Sequence, residues 1–106
     1  MRQLCRTEEI PEGGCKSLGH GIEDAMFAVR WNGTIHLYRN RCPHAGAPLN
    51  WMPDRFFDRS RQHLQCKVHG ALFEVETGAC FSGPCPGQKL EAVPFEIRGD
   101  HLCIDV

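Results

Sequence analysis

The fold of this 106-residue chain is decided by two stretches, Cys42-Pro43-His44-Ala45-Gly46-Ala47-Pro48-Leu49 and Cys66-Lys67-Val68-His69-Gly70-Ala71-Leu72-Phe73. Proline cannot donate to a β-ladder, so the first stretch is predicted to be a rigid surface loop. Each stretch places one cysteine close to one histidine, and both residue types are common metal ligands. The sequence therefore predicts a metal centre held by Cys42, His44, Cys66 and His69.

The spacing of these four residues distinguishes two kinds of centre. Two cysteines and two histidines can bind one zinc ion tetrahedrally, or a cluster in which the cysteines bind one iron and the histidines the other. Zinc fingers usually group cysteine with cysteine and histidine with histidine. Here each loop supplies one of each, and 21 residues separate His44 from Cys66. This arrangement favours a dinuclear site, with a zinc-bound structural module as the less favoured alternative.

The composition bounds the rest of the chain. Its length fits one domain, 42% of the residues are hydrophobic and 24% are charged, as in ordinary globular proteins. Seven cysteines cannot all pair within one chain, and the first residues lack the apolar stretch of an export signal, so a reducing, cytoplasmic location is expected. No run approaches the roughly 18 apolar residues of a membrane helix, and no membrane association is expected.

The hydrophobic pattern predicts an all-β protein. Helical periodicity is poor, whereas 25–30 and 34–39 flank Asn32-Gly33, a pair that tolerates the positive φ of a type I′ turn. A second hairpin is predicted from 93–98 and 101–106 around Gly99-Asp100. Three short strands are predicted between these hairpins, at 64–66, 71–75 and 79–81, with a turn at 76–78.

The two ligand stretches, followed by Glu76-Thr77-Gly78 and Gly83-Pro84, resemble the Rieske [2Fe-2S] family, specifically its soluble ferredoxin-type members. The resemblance covers essentially the whole chain. It implies a small antiparallel β-sandwich or barrel-like fold in a single domain, 1–106. Within it, a cluster-binding subdomain of about 41–87 would carry the two ligand loops, and a basal β domain would comprise the rest.

The resemblance also implies a function. Cys42 and Cys66 would ligate the inner iron of a [2Fe-2S] cluster, and His44 and His69 the outer iron, near the surface where redox partners dock. The chain would be a one-electron carrier and not itself an enzyme. It would act as a monomer that receives electrons from a reductase and passes them to an oxygenase or a related redox enzyme. The alternative is a small Rieske-like subunit of a larger reductase such as nitrite reductase.

The chain departs from the high-potential members of the family at several positions. Those members join their ligand loops by a disulfide, at positions that look like Ala47 and Val68 here. They also donate hydroxyl hydrogen bonds to sulfur from positions that look like Ala71 and Phe73. Because such bonds raise the reduction potential, the resemblance implies a potential toward the lower end of the Rieske range. Whether Cys80 and Cys85 pair is left open.

Charge is distributed unevenly along the chain. Residues 39–67 hold six basic and two acidic residues, a balance of +4, and the remaining residues sum to −5. Nucleic-acid binding is not expected, because such a domain would be more basic overall. The basic stretch is either a face for a protein partner or ordinary solvated charge on a long loop. In its 54–63 segment, Phe56 and Phe57 are expected to pack against the basal sheets in a short helix or turn.

Overall fold

A computed structural model describes residues 1–43, 48–50, 54–67, 70–83 and 87–105, apart from the side chain of Ile22. The described part is built from three antiparallel sheets of three strands each, ordered β1-β9-β8, β2-β3-β4 and β5-β6-β7. The strands are β1 (Arg2–Arg6), β2 (Cys15–Leu18), β3 (Met26–Trp31), β4 (Thr34–Arg39), β5 (Leu64–Gln65), β6 (Leu72–Phe73), β7 (Cys80–Ser82), β8 (Glu96–Arg98) and β9 (His101–Ile104). The all-β prediction is confirmed.

The predicted first hairpin is confirmed as β3 and β4. Their register runs from Met26 opposite Arg39 to Trp31 opposite Thr34. The turn between them has Asn32 at φ 51° and Gly33 at φ 78°, the left-handed conformation that a type I′ turn requires. The pattern did not predict β2, which pairs antiparallel with the other edge of β3.

The β3–β4 hairpin is covered on both faces. Because side chains alternate along a strand, Met26 and Ala28 enter one core while Phe27 and Val29 enter another. The first, here the basal core, is built from Cys5, Ile10, Met26, Ala28, Leu37, Val93, Leu102 and Ile104. Burial on both faces explains why four successive residues of β3 are buried.

The second core lies on the opposite face of the hairpin and is called the loop core. It contains three cysteines together with aliphatic and aromatic side chains. Its members are Phe27, Val29, Tyr38, Cys42, Leu49, Phe56, Leu64, Cys66, Ala71, Phe73, Val75, Cys80 and Leu90. Strands β5, β6 and β7 contribute to it, and they confirm the three short strands predicted between the hairpins.

The second predicted hairpin forms as β8 and β9, with Gly99 at φ 61° in its turn. One detail differs from the alternation in the sequence, because Ile97 remains 46% exposed. The whole of β8 is exposed, since it lies at the edge of its sheet. On the other side of β9 lies β1, a strand that the pattern did not predict.

Helical structure in the described ranges is limited to a 3₁₀ turn at Thr7–Glu9 and one α-turn at Gly21–Asp24. None of the described helices is long or apolar enough to cross a membrane. The 54–63 segment is a tight hairpin and not a helix: the Gln65 amide donates to the Phe56 carbonyl at 2.8 Å, and the Asp58 amide donates to the His63 carbonyl at 2.9 Å.

The two phenylalanines of this segment pack against β3, which lies in the predicted basal part of the chain, as expected. Phe56 is fully buried and its ring stacks on Phe27, with centroids 4.2 Å apart. Phe57 contacts Trp31 at 5.9 Å between ring centroids, and the Arg61 guanidinium lies 5.6 Å from the Phe57 centroid.

Candidate metal centre

The two predicted cysteine ligands reach the same core from different strands. Cys42 follows the end of β4, and Cys66 follows β5 directly. Both side chains are fully buried, and both belong to the loop core. They are not joined to each other by a disulfide. The fold therefore brings together two thiols that are 24 residues apart in sequence.

The two ligand loops are tied to each other through the residue after Cys66. The Lys67 amide donates to the Leu49 carbonyl at 2.8 Å, which joins the second loop to the end of the first. The Lys67 ammonium donates to the Phe57 carbonyl at 2.6 Å. Lys67 thus connects both loops and the 54–63 hairpin, a role that its charge alone did not predict.

Asn40 closes the first loop from the inside. This residue is only 9% exposed, and its side-chain oxygen accepts from the Leu49 amide at 2.8 Å. Its side-chain nitrogen donates to Asn50 Oδ1 at 2.8 Å. Two hydrogen bonds therefore join the residues that precede and follow the loop. Sequence analysis missed Asn40; the only signal was a polar residue at the end of a buried strand, next to a proline-rich loop.

The second loop begins with a tight turn. The Cys66 amide donates to the Ala71 carbonyl at 2.9 Å, and the Gly70 amide donates back to the Cys66 carbonyl at 2.8 Å. Gly83 lies against this turn: a Cβ added there would come within 2.7 Å of the Ala71 Cα, and its φ is +95°. Position 83 therefore requires glycine, and the chain directly after β7 packs on the second ligand loop.

Several predicted site residues lie outside the described part of the chain: His44, Ala47, Trp51, Val68, His69, Pro84 and Cys85. The ligand role of the histidines and the pairing of Cys85 therefore stay predictions. Cys80 is buried in the loop core, and its Sγ donates to the Ser82 carbonyl at 3.3 Å.

The other described cysteines fit the structural role expected of them. Cys5 on β1 and Cys103 on β9 are buried. Burial raises the pKa of Cys5 and raises that of Cys15 on β2 to about 12. A thiol with a raised pKa is a poor nucleophile and a poor metal ligand at neutral pH. Cys5 and Cys15 are therefore weaker ligand candidates than Cys42 and Cys66, and the Cys103 Sγ donates to the His101 carbonyl at 3.7 Å.

The two buried ligand candidates fit a cysteine-bound metal group. Burying a thiolate in an apolar core is costly, and a bound metal ion compensates the thiolate charge. Cys42 and Cys66 sit in such a core at the start of two mutually braced loops. The side chains required on the protein side of an iron–sulfur centre are therefore in place at these two positions.

Comparisons with known proteins agree with this geometry. A 3-phenylpropionate/cinnamic acid dioxygenase ferredoxin subunit from Photorhabdus laumondii is 25% identical over 108 residues, covering 100% of this chain and 96% of that protein. A ferredoxin of Sphingomonas yanoikuyae B1 shares the fold with a TM-score of 0.74 at 23% identity, covering 98% of this chain and 96% of that one.

A complex of reduced oxygenase and oxidized ferredoxin in carbazole 1,9a-dioxygenase also contains this fold, with a TM-score of 0.71 at 19% identity over 94% of this chain and 87% of that one. The family model of the Rieske [2Fe-2S] domain matches residues 1–96. Two braced loops, each opening on a buried cysteine, and a family match over nine-tenths of the sequence lead to one conclusion: the chain belongs to the Rieske [2Fe-2S] domain family and takes a Rieske-type [2Fe-2S] cluster as its cofactor.

Proposed function

We propose that this protein is a Rieske-type ferredoxin, a one-electron carrier that receives electrons from a reductase and passes them to an oxygenase. The observation that carries the proposal is the pair of fully buried cysteines, Cys42 and Cys66, in one core. Two relatives support the choice of acceptor, since one is a dioxygenase ferredoxin subunit and another is a ferredoxin in complex with an oxygenase.

We propose four ligands, with Cys42 and Cys66 on the inner iron and His44 and His69 on the outer iron. The burial of both cysteines supports their inner position. The histidine roles rest on the match of Cys42-x-His44 and Cys66-x-x-His69 to the family pattern. The cluster-binding part of the domain would be about 41–87.

When bound, the cluster supplies reversible one-electron exchange. The chain contributes apolar surroundings for the cysteines, because Phe73, Leu64 and Leu49 fill the same core. Asn40 and Lys67 hold the loops in place through hydrogen bonds to Leu49. A braced site limits rearrangement when charge changes, which suits a carrier.

Metal and acid-labile sulfide analysis of anaerobically purified protein tests the proposal, together with an electron paramagnetic resonance spectrum after dithionite reduction. We expect two irons and two sulfides per chain, and a signal of a histidine-ligated cluster. His44→Cys and His69→Cys variants should shift that signal towards the all-cysteine type. One zinc per chain without sulfide, persisting after reconstitution with iron and sulfide, would refute the proposal and indicate a structural site.

A further inference from the structure

The basic residues of 39–67 are not neutralised within the fold. In the part of the chain that the structure describes, the ion pairs of arginine and lysine side chains involve Arg2, Arg6, Lys16 and Arg98, and none involves a residue of this stretch. The two acidic residues of the stretch bond locally instead. Asp54 accepts from the Ser17 amide, and Asp58 accepts from the Ser60 hydroxyl at 2.8 Å.

Four of these cations line one cleft of about 410 Å³, called here the basic cleft: Arg55, Arg59, Arg61 and Lys67, together with Phe57 and the two aspartates. Two of the cations donate hydrogen bonds to backbone carbonyls. The Arg61 guanidinium donates to the Gly13 carbonyl at 3.2 Å, and the Lys67 ammonium donates to the Phe57 carbonyl at 2.6 Å. Arg55 and Arg59 are exposed. In the cleft, Arg61 and Lys67 are therefore held by hydrogen bonds to backbone carbonyls, and Arg55 and Arg59 are available to a partner.

An exposed aromatic side chain lies next to this cleft. Phe81 on β7 is 44% exposed, and its ring lies 4.8 Å from that of His63. His63 Nδ1 in turn lies 3.5 Å from Asp58 at the cleft wall. On its other side, Phe81 is two residues from Gly83, which packs on the second ligand loop at Ala71. Contacts therefore connect the basic cleft through Asp58 and His63 to Phe81, and β7 leads from Phe81 to the second ligand loop.

We infer that the basic cleft and Phe81 form the docking surface for an acidic face of the protein's redox partner. Partner charge is inferred from complementarity: the cleft holds four cations against two carboxylates, and a surface with excess positive charge attracts carboxylates and steers their approach. Arginine and phenylalanine are enriched in protein interfaces, and electron-transfer complexes are small and transient. The redox identity of the partner rests on the proposed function; the preference for an acidic protein surface does not.

An acidic protein fits this surface better than a nucleic acid does. The whole chain has a net charge of −1, far from the strongly basic balance of nucleic-acid-binding domains. An apolar side chain at the rim, such as Phe81, offers contact area to a protein surface.

The binding test uses the full-length protein and a labelled octaglutamate peptide, followed by fluorescence anisotropy. Arg55→Glu/Arg59→Glu removes two of the three exposed arginines of the cleft, the two that form no hydrogen bond or ion pair with other described residues. The first control is Arg98→Glu, because Arg98 lies on β8, in the β1-β9-β8 sheet and outside the basic cleft. The second control, Arg2→Glu/Arg98→Glu, changes the net charge by the same amount as the cleft variant. We expect the cleft variant to bind the peptide about tenfold more weakly, because two exposed attractions become repulsions. Binding by the wild-type protein should weaken as salt is raised towards 0.15 M, where the Debye length is about 8 Å.

Three results would overturn the inference: unchanged affinity in the cleft variant, an equal loss in the charge-matched control, or tighter binding of a single-stranded DNA oligonucleotide than of the peptide. Inorganic phosphate that displaces the peptide at equal charge concentration would indicate a small-anion site instead. Phe81 is tested with a second peptide that has one leucine among the glutamates. Phe81→Ser should bind this leucine peptide several-fold more weakly than wild type does, and should bind the all-glutamate peptide as tightly as wild type does. Equal binding of the leucine peptide by both proteins would show that Phe81 is not part of the docking surface.

A kinetic test links the surface to electron exit. The reduced protein is oxidised by anionic iron–EDTA and, separately, by cationic hexaamminecobalt. The cleft variant should slow the anionic oxidant and speed the cationic one several-fold, while the charge-matched control changes both less. Equal effects in both variants would contradict the placement of the cleft beside the exit. A protein without a reducible cluster fails this assay but can still bind the peptide, so failure of the proposed function is distinguishable.

Discussion

The two cores of this protein share one hairpin but are held together differently. The basal core lies under β1 and β9, which pair with each other and are five and four residues long. The loop core lies under β5 and β6, which are only two residues long each. There, side-chain and loop contacts from Asn40 and Lys67 replace much of the ladder. The loop half therefore depends on individual side-chain contacts more than the basal half does.

The largest expected effect comes from replacing one cysteine in the loop half and comparing it with one in the basal half. Cys66→Ser should abolish cluster binding and lower hydrogen-exchange protection in the loop half, while β1 and β9 stay protected, because a buried ligand is lost. Cys103→Ser is the matched control, since its Sγ donates to the His101 carbonyl at 3.7 Å and a hydroxyl can do the same. Iron content and exchange rates measure both; a fully iron-loaded Cys66→Ser protein would contradict the comparison.

The next effect concerns the packing that attaches the 54–63 hairpin to the loop core. Phe56→Ala should lower the free energy of unfolding by about 3–5 kcal/mol, because a fully buried ring stacked on Phe27 is removed. Phe57→Ala should cost less, since Phe57 is only half-buried. Urea titrations of the loaded proteins compare them. Equal costs would mean that this segment is not anchored through Phe56.

Asn40→Ala tests the brace of the first loop. It removes two hydrogen bonds and leaves the buried Leu49 amide without its acceptor, at a cost of about 1–3 kcal/mol. Cluster release on mild heating should be faster than in wild type. Asn40→Asp keeps the acceptor and should lie between the two. Release as slow as in wild type for the alanine variant would show that the ladder alone holds this loop.

Ala71→Ser sharpens the comparison at the second loop. High-potential family members have a hydroxyl at the position that looks like Ala71. A serine here should therefore donate towards cluster sulfur and raise the reduction potential by on the order of tens of millivolts. Ala79→Ser, a half-buried position outside the ligand turn, should leave it unchanged. Potentiometric titration measures both, and a downward shift for Ala71→Ser would contradict this prediction.

The smallest effect is acid sensitivity in the basal half. The Arg2 guanidinium donates to both carboxylate oxygens of Asp24, at 2.9 and 2.7 Å, and holds the pKa of Asp24 well below its usual range. Its stabilisation is thus present above the unfolded pKa of about 3.9 and is lost as pH falls through the folded pKa. Asp24→Asn should flatten the fall of the urea midpoint below about pH 4; an unchanged slope would exclude this pair.

Local chemistry was predictable from sequence, and long-range pairing was not. The Asn32-Gly33 turn specifies its own hairpin. In contrast, β1 was missed because its register partners, such as Ile104 opposite Arg2, lie at the other end of the chain. The buried cysteines were predicted from their spacing with histidine. Asn40 was not, because its role exists only once Leu49 and Asn50 have folded back beside it.

The 54–63 hairpin contains a buried residue that anchors the segment and several residues that face solvent. Phe56 is buried against Phe27, and its neighbour Arg55 faces solvent. Substitutions at the solvent-facing positions change surface charge without entering the core that holds Cys42 and Cys66. The charge of the inferred docking surface can therefore change by point substitution on one hairpin while the packing around Cys42 and Cys66 stays intact.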